Sequence, residues 1–398
     1  MKNKIELLAP AGDIERGKIA INFGADAIYL GAQLFSLRSR ASNFTYKNLH
    51  EICKLVHKQK KRIYLVTNIF CHNNDTNEFE NFIKKIKNFG IDAYICSDPF
   101  IIELIKKNIT NAEIHISTQQ TISNSKAALF FKRNGASRIV FSRETTFSEL
   151  KETIANVKNK IELEIFIHGA VCIAFSGRCM LSNNFCYRDA NTGGCAQSCR
   201  WPLNLLNEKQ ELIAKNFTMS AKDMCQMKNI YKIIDSGITS LKIEGRMKSE
   251  YYIATVVNAY RRAIDSYYKK KKLNKEYVTE ILKAANREVS TAWFDGKPGQ
   301  DKMLYHDEQK KVAQNYALII TKKISKNKYE AITKNYISKK MSFEVISTKL
   351  TKIRKIKIVK ISTESNDNAE IVNTPMSKIT IELNENLNLC KNDIFRII

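Results

Sequence analysis

Leu163-Glu164-Ile165-Phe166-Ile167 is the seventh of eight short apolar or β-branched runs, and the spacing of those eight decides the fold. The others are Ile5-Glu6-Leu7-Leu8-Ala9, Ala27-Ile28-Tyr29-Leu30, Ile63-Tyr64-Leu65-Val66, Ala93-Tyr94-Ile95-Cys96, Ile114-His115-Ile116, Arg138-Ile139-Val140-Phe141 and Ser240-Leu241-Lys242-Ile243. Amphipathic stretches such as Asn48–Lys58 and Glu78–Phe89 separate them, with apolar residues at helical spacing. Eight strands alternating with helices predict an α/β fold, a (β/α)8 TIM-like barrel, with an open doubly wound sheet as the structural rival. The first seven runs follow one another at roughly 20 to 40 residues, the size of one βα unit. The seventh and eighth stand about twice as far apart, and insertions after a barrel strand sit on its C-terminal face. Whatever fills that gap belongs at the working end of the barrel.

What fills it, over residues 172–225, is six of the ten cysteines: Cys172, Cys179, Cys186, Cys195, Cys199 and Cys225. They lie among Gly, Asn, Ser and Arg, and four thiolates on irregular backbone are what a soft metal centre needs, zinc or iron–sulfur. Cys53, Cys71, Cys96 and Cys390 are scattered, and three of them read as small buried side chains in or beside apolar runs.

Hydrophobic residues make up 44% of the 398, ordinary for a chain that folds. No apolar run is long enough to span a membrane, and Glu6 and Pro10 interrupt the start too early for a secretory leader. A cytoplasmic protein is expected, in which grouped cysteines are ligands or redox groups before they are disulfides. The formal net charge of +25 points to polyanions, nucleic acid first. A Lys-, Asn- and Ile-rich composition is the competing explanation of that charge.

After the eighth strand a helix is predicted over Ser249–Tyr268 and another near Lys275–Arg287. The barrel domain is read as 1–288, with a linker at 289–311. From Val312 to Ile398 short alternating runs predict a small all-β, Lys/Arg-rich domain built as a barrel.

The seventh run continues through Gly169-Ala170-Val171-Cys172 to Gly177-Arg178-Cys179-Met180-Leu181-Ser182. This resembles the signature of the U32 "collagenase-like peptidase" family. Further landmarks of the resemblance are Leu8-Ala9-Pro10-Ala11-Gly12, Tyr29-Leu30-Gly31, Ser117-Thr118-Gln119, Ser220-Ala221-Lys222-Asp223-Met224-Cys225 and Leu241-Lys242-Ile243-Glu244-Gly245-Arg246. The resemblance spans the whole chain. It implies kinship with proteins that hydroxylate tRNA, rRNA or quinones, and a [4Fe–4S] cluster on Cys172, Cys179, Cys195 and Cys225, with Cys199 as the alternative ligand. The tRNA branch implies tRNA as partner, 5-hydroxyuridine at the wobble position as product and prephenate as hydroxyl donor. A family paralogue is an implied heteromeric partner. The segment Asn286–Ala292 matches that branch only partly.

Two readings from other classes stand beside it. One is a peptidase, for which His168 and Cys172 are the available His and thiol, although five further cysteines suit ligation better than a lone nucleophile. The other is a non-catalytic protein that carries a cluster. Candidate catalytic residues are His168, at the end of strand seven, and Lys242, Glu244 and Arg246 after strand eight, where a barrel presents its chemistry. Asn68, Gln119 and Glu144 follow strands three, five and six as candidate substrate contacts, and Arg38 and Arg40 follow strand two.

Overall fold

The computed structural model of the protein describes residues 4–38, 42–306, 315–350 and 352–398. Arg40 and the proposed domain start at Val312 lie outside them. Eight parallel strands close a barrel: β1 (Glu6–Pro10), β2 (Ala27–Gly31), β3 (Arg62–Thr67), β4 (Ala93–Cys96), β5 (Glu113–Ile116), β6 (Arg138–Val140), β7 (Glu162–Gly169) and, later in the chain, Ser240–Ile243. That last strand pairs in parallel with both β1 and β7, so the sheet has no free edge there and the open-sheet alternative is ruled out.

The helices between the strands are α1 (Ile14–Asn22), α2 (Tyr46–Lys58), α3 (Thr76–Ile86), α4 (Pro99–Asn108), α5 (Ser125–Arg133) and α6 (Phe147–Val157). Side-chain caps start several of them. Asp13 accepts from the Arg16 amide, Asp98 stands before Pro99, and Thr146 forms a capping box with Glu149. Alternation along each strand sorts its side chains. Leu7, Ile28, Leu65 and Ile139 face the helices, while Leu8, Tyr29, Val66 and Ile95 fill the barrel interior.

The insertion after β7 carries a short helix α7 (Leu181–Cys186) and a hairpin, β8 (Leu203–Leu206) with β9 (Leu212–Ala221). Next, β10 (Asp223–Cys225) runs antiparallel to β7, α8 (Ile230–Asp235) follows, and the barrel closes with β11 (Ser240–Ile243). Helix α9 (Glu250–Tyr268) is capped by Ser249, as the periodicity predicts, and α10 (Glu276–Ala284) comes after it.

Of the stretch expected to be a linker, the described part, 289–306, is woven into the fold instead. β12 (Val289–Ser290) pairs with β10, and β13 (Met303–His306) pairs with β9. Its Gly, Pro and Asp residues mark turns between strands rather than a free tether.

The C-terminal domain is a closed antiparallel barrel of six strands in the order Tyr316–Lys323, Lys328–Thr333, Lys378–Leu383, Arg354–Ser362, Ser342–Ile346 and Ile394–Ile397. It has its own core around Phe343, Tyr329 and Phe395. It is docked on the first barrel: Tyr316 stacks on Tyr251, and Arg396 reaches Glu280 at 2.8 Å. No described helix is long and apolar enough to cross a membrane.

Candidate active site

A cavity of about 300 Å³ opens at the C-terminal ends of the barrel strands, roofed by the cysteine-rich insertion. Asn68, Gln119, Lys242, Glu244 and Arg246 all line it, as do Cys172, Cys179, Cys195 and Cys199. Three residues singled out from the sequence do not.

His168 is the first. Strand alternation that turns Glu164 and Phe166 inward predicts an inward His168 too. An irregularity in the β7–β11 register breaks the alternation at this point. His168 packs instead between Tyr252 and Tyr260 of α9, with Nδ1 3.5 Å from the Tyr260 hydroxyl. Burial, with help from Lys248, drives its pKa down to about 3, so it is neutral.

Cys225 is the second. Its sulfur lies 3.9 Å from the Tyr260 hydroxyl, in the layer between β10 and α9, behind the cavity wall. Glu144 is the third. It accepts from the Ser176 amide (2.7 Å) and hydroxyl (2.5 Å). Ser176 has a left-handed φ of 47°, so this carboxylate pins the strained loop that carries Cys172 and Cys179.

The four thiols on the cavity are one group. Burial pushes the Cys172 thiol up, Arg143 and Arg38 draw it down, and Cys179 raises it again. Burial likewise pushes up Cys199, which also feels Cys172, Cys195 and Cys179. Among the described residues no three His, Cys, Asp or Glu converge tightly enough to hold a single metal ion. Cys186 bonds to the Ser182 carbonyl at the end of α7.

The rest of the cavity is electropositive. Arg38, Arg143, Arg200, Lys242, Arg246 and Lys248 line it against one carboxylate, Glu244. Glu244 bonds Arg143 at 3.2 Å and stands 3.8 Å from Arg38. Burial raises its pKa, but Arg38, Arg143, Arg246 and Lys242 together overrule burial and hold it below the ordinary value. Arg143 also donates to the Ala170 carbonyl at 2.5 Å and lies 4.1 Å over the Phe166 ring. The sequence reading passed over Arg143. Its signal was its position directly after β6, beside Glu144.

Among the described residues no carboxylate bonds to Arg246. It donates to Ser36 at 3.0 Å and to Asn43, and burial lowers its pKa to about 10. Two glycines of the sequence landmarks make room for it. A side chain at Gly31 would strike its guanidinium, and one at Gly12 would strike its backbone carbonyl. Lys242 is fixed from below by Glu164 (2.9 Å) and lies 4.6 Å from the centre of the Tyr29 ring. Asn68 donates to Ser117 at 3.3 Å and approaches Gln119 Oε1 at 3.5 Å, so the two amides share one wall.

Cys172 lines the cavity while His168 packs against α9, so the two are not presented to the same space as a thiol nucleophile and its base would be. The model of peptidase family U32 matches residues 12–304. The "tRNA hydroxylation protein P1" of Bacillus subtilis (strain 168) is 43% identical over 329 residues, covering 80% of this chain and 77% of its own. The "tRNA hydroxylation protein P" of Escherichia coli (strain K12) is 33% identical, covering 66% of this chain and 68% of its own. A "Collagenase" of Porphyromonas gingivalis (strain ATCC BAA-308 / W83) is 32% identical, covering 74% and 72%. The chain belongs to peptidase family U32 and is homologous to the family's tRNA hydroxylation proteins.

Proposed function

We propose that this protein is a tRNA-modifying enzyme that hydroxylates the wobble uridine at C5, with prephenate as the hydroxyl donor and a [4Fe–4S] cluster at the barrel mouth. The observation that carries the reading is the joint lining of one cavity by four cysteines and six cations. The four cysteines line one cavity, and thiolates are the ligands an iron–sulfur cluster takes. On that ground the proposed ligands are Cys172, Cys179, Cys195 and Cys199, with Cys199 taking the place the family resemblance gave to Cys225. When bound, the cluster supplies electron-transfer capacity to the site.

The chain's own residues bind and orient. Prephenate carries two carboxylates, and Arg38, Arg143, Arg246 and Lys248 offer the cations to hold them. Arg246, already locked by Ser36, Asn43 and the space at Gly31, loses little freedom when it grips an anion. Asn68 and Gln119 present both donors and acceptors, which matches the edge of a uracil. Lys242 Nζ, held on Glu164, donates a hydrogen bond at the cavity floor. Glu144, which pins the loop of Cys172 and Cys179, is a positioning residue in this scheme, and His168 belongs to the packing of β7 on α9. The Lys-rich outer face of the C-terminal barrel, including exposed Lys355 and Lys357, supplies phosphate contacts to tRNA. Action on tRNA places the protein in the cytoplasm.

Mass spectrometry of tRNA nucleosides tests the reading. A strain lacking the gene is expected to lose 5-hydroxyuridine and its derivatives, and the intact gene to restore them. Unchanged 5-hydroxyuridine in the deletion strain, with no paralogue present, would overturn it. The peptidase reading predicts instead gelatin cleavage by the pure protein that is lost on Cys172→Ala.

A further inference from the structure

The insertion leaves large aromatic side chains in water at the rim of the cavity. Four of the nine exposed aromatic residues among those described, Phe175, Phe185, Tyr187 and Trp201, fall between residues 175 and 201. Phe175 stands between Ile173 and Ser176, both on the cavity wall. Phe185 lies on α7 and meets Trp201 edge to face, with ring centroids 6.3 Å apart. Trp201 directly follows Arg200, which also lines the cavity. Tyr187 closes α7 in left-handed backbone (φ 53°) and is 96% exposed.

Charge accompanies the rings. Arg178, Arg188 and Arg200 are interleaved with them in the sequence. Over residues 172–203 the single carboxylate is Asp189, and it accepts from the Asn191 amide at 2.8 Å within its own turn. Arg178 is held by the Gln119 carbonyl (2.8 Å) over the Phe70 ring, so one guanidinium already sits over an aromatic face here, 5.3 Å from its centre. Exposed rings beside cations that bond to no carboxylate among the described residues, at the entrance to an electropositive cavity, match a polyanion whose bases are unstacked.

We infer that this rim is a stacking platform for the unpaired bases that flank the target nucleotide of an RNA loop. The inference rests on the tRNA reading above and adds a second, separate contact surface to it. The C-terminal barrel meets phosphates, and the insertion holds bases by their faces while the target base enters the cavity. Stacking tolerates any base, so the platform grips the loop and leaves the choice of base to the cavity wall.

Binding of the full-length, anaerobically purified protein to a short RNA stem–loop, and to a blunt RNA duplex of the same composition, tests this. Tyr187→Ala and Phe175→Ala are each expected to weaken stem–loop binding about tenfold. Duplex binding and the salt dependence of stem–loop binding stay as they were, because no cation is removed. Tyr187→Phe, which keeps the ring, is expected to bind like the parent. Trp201 and Trp293 are the chain's two tryptophans. In a Trp293→Phe background, the stem–loop is expected to quench Trp201 emission and the duplex to leave it unchanged. If both alanine variants bind the stem–loop as tightly as the parent and Trp201 is not quenched, the platform is refuted and the tRNA reading stands. Equal weakening on stem–loop and duplex also refutes it, since that signature belongs to backbone contacts. If the parent protein binds neither RNA, the platform and the tRNA reading fall together, and an acidic protein becomes the partner the charge describes.

Discussion

Two clusters of charge sit in the same barrel, and they are built on opposite principles. At the base, Arg138 is bonded to Glu6 (2.6 Å), Glu162 (2.7 Å) and Glu164 (3.0 Å), Lys242 closes on Glu164, and Ser240 completes the ring. Every charge there has an opposite neighbour. At the mouth, five further cations share the cavity with the single carboxylate Glu244, and among the described residues the bonds of Arg246 are to the neutral side chains of Ser36 and Asn43. A balanced buried network specifies structure, whereas an unbalanced one in a cavity is waiting for an anion.

The sharpest way to probe the mouth is all-or-none. Cys199→Ala is expected to remove iron from the anaerobically purified protein, while Cys225→Ala, behind the wall with Tyr260, leaves about four irons per chain. Iron lost on Cys225→Ala and kept on Cys199→Ala would restore the ligand set that the family resemblance implies.

The base is where stability is lost. Glu164→Ala leaves Arg138 and Lys242 buried without a shared partner and is expected to destabilise the fold by about 3–5 kcal/mol, read as a shift in the denaturant midpoint. Burial alone raises the Glu164 pKa, but Lys242, Arg138 and His115 overrule it and bring it to about 2. Its folded value is therefore depressed. The stability it contributes is present above about pH 4.5 and lost as pH falls towards 2, and the alanine variant loses that part of the acid limb. Glu244→Gln at the mouth keeps the shape of the side chain and an acceptor for Arg143, and is expected to destabilise the fold by less than Glu164→Ala. Equal destabilisation by the two substitutions would erase the distinction between base and mouth.

Arg143→Gln tests the mouth in the other direction. The loss of a positioned cation from the cavity wall is expected to lower the proposed 5-hydroxyuridine formation about 100-fold with little change in melting temperature. Activity held within a few-fold would show that Glu244 and Arg143 form a structural pair like those at the base.

Most of the fold was legible because β-branched runs at βα spacing leave few alternatives, and the six strands of the C-terminal barrel alternate just as plainly. The hairpin β8–β9 was not anticipated, and its strands are largely exposed, so burial imposes no clear alternation on them. The cavity's cations were half visible. Arg38, Lys242 and Arg246 follow strands in plain sight, but Arg143 sits beside Glu144, and spacing alone does not say which of two neighbours turns inward. The cysteine ligands posed a harder problem. Spacing within irregular backbone carries no direction, so only the folded insertion separates Cys199, on the cavity, from Cys225, behind it.

The smallest effect belongs to His168, and it bears on the peptidase question. A histidine ending strand seven, four residues before a cysteine, invites a role in proton transfer. The register irregularity in β7 turns it to α9 instead, where its partners are the rings of Tyr252 and Tyr260. With a pKa brought to about 3 by burial and Lys248, it stays neutral in the folded protein, while in the unfolded chain it titrates near 6.5. The unfolded state therefore takes up the proton first. Below about pH 6.5 this residue draws stability away progressively until pH approaches 3, where the folded protein is protonated too. His168→Asn has no such group to titrate, so its stability is expected to fall less steeply with acid between pH 6 and 4 than that of the parent. The weak contact at 3.5 Å to Tyr260 makes the loss at pH 7.5 small, about 1 kcal/mol, and tRNA hydroxylation is expected to remain within about threefold. A hydroxylation rate that collapses in this variant, with its melting temperature unchanged, would put His168 back among the reacting groups.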